Sequence, residues 1–312
     1  MRYYTFEPID KPMLWGGRQL ATLLGRAFPD AHARIGEAWD LVDRPQDQSR
    51  VMNSAETLHD LWTGPDRMSI FGRRAPDAER FPILIKLIDA AENLSIQVHP
   101  PRAIAEKRGY ESKDEVWYFL HAQKDACVYA GFRERMTQEE LRHALSSGTA
   151  AACLHRLPTM PDEAMFIPAG RVHSIGGGNL LLEVQTSGDT TLRLDDWGRV
   201  DASGHPRALQ TEEALACVDF DDVRPTFIQP HGARIIATPH FELRRLWLDA
   251  HQSFEQPMDA DSFEYWFVAR GSVSFEGRSW RMGEAALIAA SAGSVQVQTE
   301  GEPAVILRVR WS

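Results

Sequence analysis

Residues 94–100 read LSIQVHP, with a glutamine and a histidine one residue apart inside an otherwise apolar segment. In a β-strand successive side chains alternate between faces, so Gln97 and His99 share one face while Ile96 and Val98 take the other. Two polar side chains on one side of an apolar strand are either a hydrogen-bonded pair in a barrel wall or half of a metal site. The strand reading decides the fold, because the same pattern recurs around it. FPILIKLIDA (81–90), EVWYFLHA (115–122), DACVYAGF (125–132), EAMFIPAG (163–170), LLLEVQTS (180–187) and TTLRLDDW (190–197) all suit strands, punctuated by Gly and Pro. One clear helix interrupts them: Thr137 before QEELRHALSSG offers an N-cap, acidic residues in the first turn and Gly148 as a stop. TEEALACVD (211–219) repeats that pattern.

RPTFIQPHGAR (224–234), rich in Pro, His and Gly, reads as a connection, and strands resume after it in FELRRLWLDA, FEYWFVARGSVSFEG, RSWRMGEAALIAASAG, SVQVQ and AVILRVRWS. The Gly-led return in the later half echoes MFIPAGRVHSIGGG in the earlier one. The chain is therefore expected to be mainly β, with two related β-sandwich or barrel units. Residues 1–230 form the first, with short helical insertions, and residues 231–312 the second. The second has no counterpart of the motif histidines and is expected to be structural or to pack against another subunit. Trp266 and Trp280 in it mark either core or the surface of a homodimer.

A chain of 312 residues has room for two domains. Its formal charge of −10 argues against a nucleic-acid surface, which needs a basic footprint, yet leaves room for local cations that hold an anionic small molecule. Cys127, Cys153 and Cys217 are odd in number and widely spaced, which fits buried reduced thiols better than a disulfide framework. MRYYTFEPID has no apolar run after its basic start, and no uncharged apolar run approaches the roughly 20 residues of a membrane span. A soluble, cytoplasmic protein is expected, with no membrane or nucleic-acid partner.

EAMFIPAGRVHSIGGGN holds Pro168, Gly170 and His173 in the spacing P-x-G-x-x-H, a tight turn that starts a strand on a histidine. Upstream, Glu115 opens a strand ahead of Trp117 and Phe119. Gln97, His99, Glu115 and His173 thus lie near strand ends, and two imidazoles, a carboxylate and an amide oxygen form a first shell suited to Zn²⁺, with Co²⁺, Mn²⁺ or Fe²⁺ as competitors. A strand histidine is more often a hydrogen-bonded core residue, and His121, His143, His155 and His205 are read that way; His99 and His173 stand apart because each sits in a motif. A hairpin turning near Gly188 would set Glu183 opposite Arg193, either as an ordinary cross-strand ion pair or as a fixed carboxylate and cation beside the metal.

LWGGRQL, IGEAWDL, LSIQVHP, KDEVWYFL and IPAGRVHSIGGGNLLLEVQTSGDTTLRLDDWGR together resemble the short bacterial type I mannose-6-phosphate isomerases, in order from Trp15 to Arg199. The resemblance implies two cupin-type jelly-roll units and one Zn²⁺ per chain, on Gln97, His99, Glu115 and His173. It implies Arg193, Lys113 and Glu183 as catalytic residues, and Ser95, Lys86, Lys113 and Arg193 as contacts of a phosphorylated sugar. The implied reaction interconverts mannose 6-phosphate and fructose 6-phosphate through an enediol-type proton transfer, with Glu183, Lys113 or a metal-bound water as proton carrier. Lys86, Lys113 and Arg171 are the cations available to the phosphate. The chain departs from the family pattern at Asp114, where Thr or Pro is more typical, at Pro101-Arg102 in place of an acidic pair, and at DDWGR (195–199). An isomerase of a different or unphosphorylated sugar, or a non-catalytic sugar-binding cupin, is the alternative.

Overall fold

The apolar runs fold as strands. In the computed structural model, which describes residues 2–30, 32–201 and 203–312, strands cover Ile83–Ala90, Ile96–Val98, Glu115–Ala122, Cys127–Phe132, Ala164–Ile167, Asn179–Thr186 and Leu192–Asp195. The expected helix is Gln138–Ser146, closed at its start by a full capping box between Thr137 and Glu140. The 211–219 segment is helical only over Thr211–Leu215. Five further helices, Gln19–Thr22, Leu58–Thr63, Arg67–Phe71, Arg102–Arg108 and Ala150–Cys153, lie among the described residues where the sequence reading had none. Leu58–Thr63 carries its own capping box, Thr57 with Asp60, and Arg102–Arg108 ends on Gly109 in the left-handed conformation. Among the described residues no helix is long and apolar enough to cross a membrane.

The chain divides into two units, each assembled from separate segments. One holds Asp10–Ala38 and Ile85–Phe227; the other holds residues up to Ile9, Trp39–Leu84 and Ile228–Ser312. The division thus gives residues 39–84 to the unit that contains the C-terminal strands, unlike a simple cut at 230. The 224–234 connection contains the last passage between units.

The first unit is a two-sheet sandwich. Its six-stranded sheet runs Ala164–Ile167, Glu115–Ala122, Asn179–Thr186, Ile83–Ala90, Ile9–Gly17, Ile35–Leu41, and its five-stranded sheet runs Leu154–Pro158, Cys127–Phe132, His173–Ile175, Ile96–Val98, Leu192–Asp195. Ile88, Trp117, Phe119 and Leu181 from one sheet meet Val128, Ala130 and Ile175 from the other in the core between them. A second cluster covers the opposite face of the five-stranded sheet, where Ile96, Val98, Leu192 and Leu194 pack with Leu141, Ala150 and Leu215 of the helices. That helical layer explains the alternation in LSIQVHP: the aliphatic side chains go out to the helices, and Gln97 goes inward.

The other unit repeats the design. Its six-stranded sheet runs Tyr3–Tyr4, Ala285–Ile288, Glu264–Arg270, Ala304–Trp311, Phe241–Leu248, Arg234–Ala237, and a four-stranded sheet runs Ser253–Pro257, Ser294–Thr299, Ser272–Phe275, Arg278–Arg281. Trp266 and Trp280 are fully buried in its core, which removes them from any surface role; Trp247 is the exposed tryptophan among the described residues. The two units share register as well as strand order. Ile167 pairs with Glu115 and Glu183 with Trp117 in the first; Ile288 pairs with Glu264 and Arg308 with Trp266 in the second. The indole of Trp266 donates to Glu264 (2.7 Å), as the indole of Trp117 does to Glu115 (3.2 Å). Where the first unit gathers histidines near its glutamate, the second turns Arg308 onto Glu264 through two hydrogen bonds of 2.6 and 2.5 Å.

Candidate metal centre and active site

Strand register brings the four expected ligands together within the first unit. Gln97, at the middle of Ile96–Val98, pairs directly with His173, the first residue of the next strand in the sheet. His99 follows the end of its strand, and Glu115 opens a strand of the other sheet. The ligand atoms of His99, Glu115 and His173 all lie within 4.8 Å of one another, and all three residues are buried. The turn that delivers His173 depends on Gly170, whose φ of +93° lies in the region that side-chain-bearing residues avoid.

Each imidazole is aimed by the backbone. Nδ1–H of His99 donates to the Thr190 carbonyl (3.1 Å), and Nδ1–H of His173 donates to that of Arg171 (2.9 Å). Both Nε2 atoms are then lone-pair bearers, the tautomer that ligates metal. Burial, and after it the charge of His99, pushes His173 down to about 3; burial and then Lys113 lower His99. Both rings are therefore neutral at physiological pH, as ligation requires. Nε2 of His99 sits 3.0 Å from a carboxylate oxygen of Glu115 and yet makes no hydrogen bond among the described residues. Two lone pairs facing each other in a buried place are unfavourable alone and favourable around a shared cation, so these residues fit a divalent metal.

Gln97 lies at the edge of the cluster. Its Oε1 accepts from the Ser95 hydroxyl (2.9 Å) and its Nε2 is 3.2 Å from Nε2 of His173. A half-turn of the amide presents the oxygen to the cluster and the NH₂ to Ser95, whose hydroxyl also accepts. Ser95, expected as a substrate contact, is thus placed as the partner of Gln97.

Buried charges surround the cluster. Lys113 Nζ lies 2.9 Å from Oε1 of Glu115. Burial alone would raise the Glu115 carboxyl, but Lys113 and then the two imidazoles hold it well below the usual carboxylate range. The Trp117 indole bridges Glu115 and Glu183, 2.8 Å from the latter. Burial, and after it the charge of Glu115, pushes Glu183 up to about 7. Glu183 also pairs with Lys86 at 2.9 Å, and Lys86 lies 3.5 Å from Glu37. Burial works to lower Lys86, but Glu183 and then Glu37 hold it above the usual lysine range, so it stays an ammonium.

The hairpin expected to face Glu183 with Arg193 does not form. Asn179–Thr186 and Leu192–Asp195 enter different sheets, so Glu183 pairs with Trp117 and Arg193 with Gln97, and the cation beside Glu183 is Lys86. The reason is topological: residues 187–191 cross from one sheet to the other, with Gly188 packed so tightly on Ser112 that a Cβ would come within 2.4 Å of its carbonyl oxygen. Arg193 still lies next to a ligand position, and its Nε is buried without a hydrogen bond among the described residues. Burial and then Arg207 lower its pKa, though a guanidinium remains charged near neutrality. Arg171, considered for a phosphate, is committed to Asp222 through two hydrogen bonds. Glu37 was missed by the sequence reading; its signal is an acidic residue inside the otherwise buried strand Ile35–Leu41.

Chemically, the arrangement offers a metal cradle beside a carboxyl that is neutral or ionised near pH 7, with ammonium and guanidinium groups close by. The family model described as phosphomannose isomerase type I, catalytic domain, matches residues 7–132. Mannose-6-phosphate isomerase ManA of Bacillus subtilis (strain 168) is 35% identical over 223 residues, covering 70% of this chain and 68% of its own length. The crystal structure of the mannose 6-phosphate isomerase from Bacillus subtilis superposes with a TM-score of 0.85 at 25% identity, over 99% of each chain. A mannose 6-phosphate isomerase described as bound with zinc and yttrium shares the fold, with a TM-score of 0.77, 20% identity and 100% of each chain covered.

Proposed function

The chain belongs to the type I phosphomannose isomerases, and from that premise we propose that it interconverts mannose 6-phosphate and fructose 6-phosphate with one zinc ion per chain, held by Gln97, His99, Glu115 and His173. The observation that carries the reading is the buried His99–Glu115–His173 cluster with both Nδ1 atoms tied to carbonyls, beside a glutamate raised to about 7. Zinc bound there supplies Lewis-acid polarisation of a sugar oxygen.

The rest of the chemistry belongs to the chain. Aldose–ketose interconversion breaks the C2–H bond, leaves its electron pair in a C1–C2 enediol, and returns a proton to C1, while the O2 hydroxyl gives up its proton and O1 gains one, with no net oxidation. Glu183 is the proton carrier best supported by its surroundings, because a group near 7 exists in both protonation states at working pH. Lys86 is paired with Glu183 and held above the usual lysine range, which favours fixed charge over proton transfer, and Lys113 is paired with Glu115. Arg193 offers a permanent cation to enediolate oxygen or phosphate, and its buried Nε makes no hydrogen bond among the described residues. The reaction is tested by metal analysis joined to an isomerase assay with and without EDTA, offering mannose 6-phosphate and free mannose. Arg193→Ala should lose about 10²–10³ in kcat while keeping its zinc. A metal-free protein with full activity, or turnover of free mannose alone, overturns the reading.

A further inference from the structure

The loop that presents His173 is gripped by two carboxylates. On one side Asp114 Oδ1 accepts from the Ala169 amide (2.8 Å), while Asp114 itself is fixed against Thr186 by its own amide (3.2 Å) and carbonyl (3.1 Å). On the other side Asp222 takes two hydrogen bonds from Arg171, at 2.7 and 2.9 Å, with both side chains about six-sevenths buried. The third guanidinium nitrogen of Arg171 donates to the Phe166 carbonyl (2.5 Å) at the start of the same turn. The segment carrying Asp222 is strapped down independently: the Asp219 amide donates to the Gly170 carbonyl (2.8 Å), and the Asp222 carbonyl accepts from Phe132 (2.9 Å). The turn is also tied to another ligand, since the Gly170 amide donates to the His99 carbonyl (2.9 Å).

Arg171 thus has its side chain clamped and its own carbonyl serving as the acceptor for Nδ1–H of His173. We infer that Asp222 and Asp114 are positioning residues for the metal centre: they fix the Arg171 peptide and, through it, the tautomer and aim of the His173 ring. Neither residue belongs to the ligand cluster. The inference gives a role to Asp114, a departure from the family pattern, and to the segment after the Thr211–Leu215 helix, which the ligand set leaves unexplained. Without the Asp222 carboxylate, the Arg171 side chain no longer holds the turn at its far end. Its carbonyl then swings from Nδ1, and the ring populates the tautomer and orientations that do not ligate. Outer partners of this kind set metal affinity as well as geometry.

The inference rests on reading His99, Glu115 and His173 as metal ligands, so the experiment uses two readouts. Zn²⁺ affinity of the full chain is measured by competition with a chromophoric chelator. The His173 tautomer is read in the metal-free protein by NMR of ¹⁵N-labelled imidazoles, with thermal unfolding alongside. Asp222→Asn should bind Zn²⁺ about 10–100-fold more weakly and lose the pure Nδ1–H tautomer, and Asp222→Glu should recover most of both. Asp114→Ala should act in the same direction, whereas Asp114→Asn, which keeps an acceptor oxygen, should stay close to the parent. These milder changes decide the matter if Asp222→Asn does not fold. Lowered melting with Zn²⁺ affinity within twofold of the parent and the tautomer unchanged makes Asp222 merely structural and overturns the inference. A parent chain that binds no Zn²⁺ instead overturns the metal-site reading, and the tautomer readout still judges the positioning claim.

Discussion

Burial of the two imidazoles predicts an unusual pH response of metal binding. Two ordinary histidines near 6.5 become protonated between pH 7.5 and 5.5, and each then weakens binding about tenfold, roughly 100-fold for the pair. Here His173 is pushed down to about 3 and His99 is lowered as well, so His173 contributes nothing to that loss and His99 only part of its share. Zn²⁺ affinity should fall by less than about tenfold over the window. The assay is chelator competition at several pH values in the Glu183→Gln background, which removes the neighbouring carboxyl near 7 as a second titrating group. A fall of 100-fold refutes the argument, because it means the rings are solvated. The same shift has a stability sign. With a folded pKa below the unfolded value, the unfolded chain binds the proton more tightly. The contribution is present above pH 6.5 and is lost progressively as pH falls towards 3. At about 1.4 kcal/mol per unit, His173 alone accounts for on the order of 5 kcal/mol in the metal-free protein. Acid titration of that protein, with unfolding followed by near-UV circular dichroism, should show the decline begin near pH 6 instead of near pH 4.

Two further outcomes follow from buried contacts. Arg308→Ala strands the Glu264 carboxylate, 1% exposed, with the indole of Trp266 as its remaining strong donor. It should destabilise the second unit by about 3–5 kcal/mol in urea unfolding, while Arg308→Met with Glu264→Met recovers most of the loss; equal loss in both variants would sink the ion-pair account. Gly17→Ala would place a Cβ 2.2 Å from Asp89 Oδ1, forcing that carboxylate off the backbone amides of Gln19 and Leu20. A cost of about 2–3 kcal/mol is expected, and unchanged stability would show that the loop yields freely.

The strands, and the meeting of His99, Glu115 and His173 near strand ends, were legible in the sequence because both rest on local patterns. Alternation placed Gln97 and His99 on one face, and the Pro168–Gly170 turn announced His173. What the sequence withheld depends on which sheet a strand enters. The 183–193 segment has the spacing of a hairpin, but residues 187–191 cross between sheets, so Arg193 serves the Gln97 strand and Lys86 becomes the partner of Glu183. No local pattern distinguishes those outcomes. Glu37 escaped for a similar reason, since its partner Lys86 is 49 positions away and the two meet only through sheet pairing. The short helices were legible in principle: the Thr57–Asp60 box and the left-handed Gly109 are ordinary signals within stretches too brief to show a helical period.

The guanidinium of Arg308 carries a last consequence. It supplies positive charge to Glu264 from a side chain joined to the polypeptide, at the strand position where the other unit carries Glu183. Such a charge is made during translation, needs no delivery and cannot be stripped or exchanged for a competing ion. On the metal reading proposed above, withdrawing the ion would therefore act on the unit that gathers His99, Glu115 and His173 and leave the Arg308–Glu264 pair of the other unit untouched.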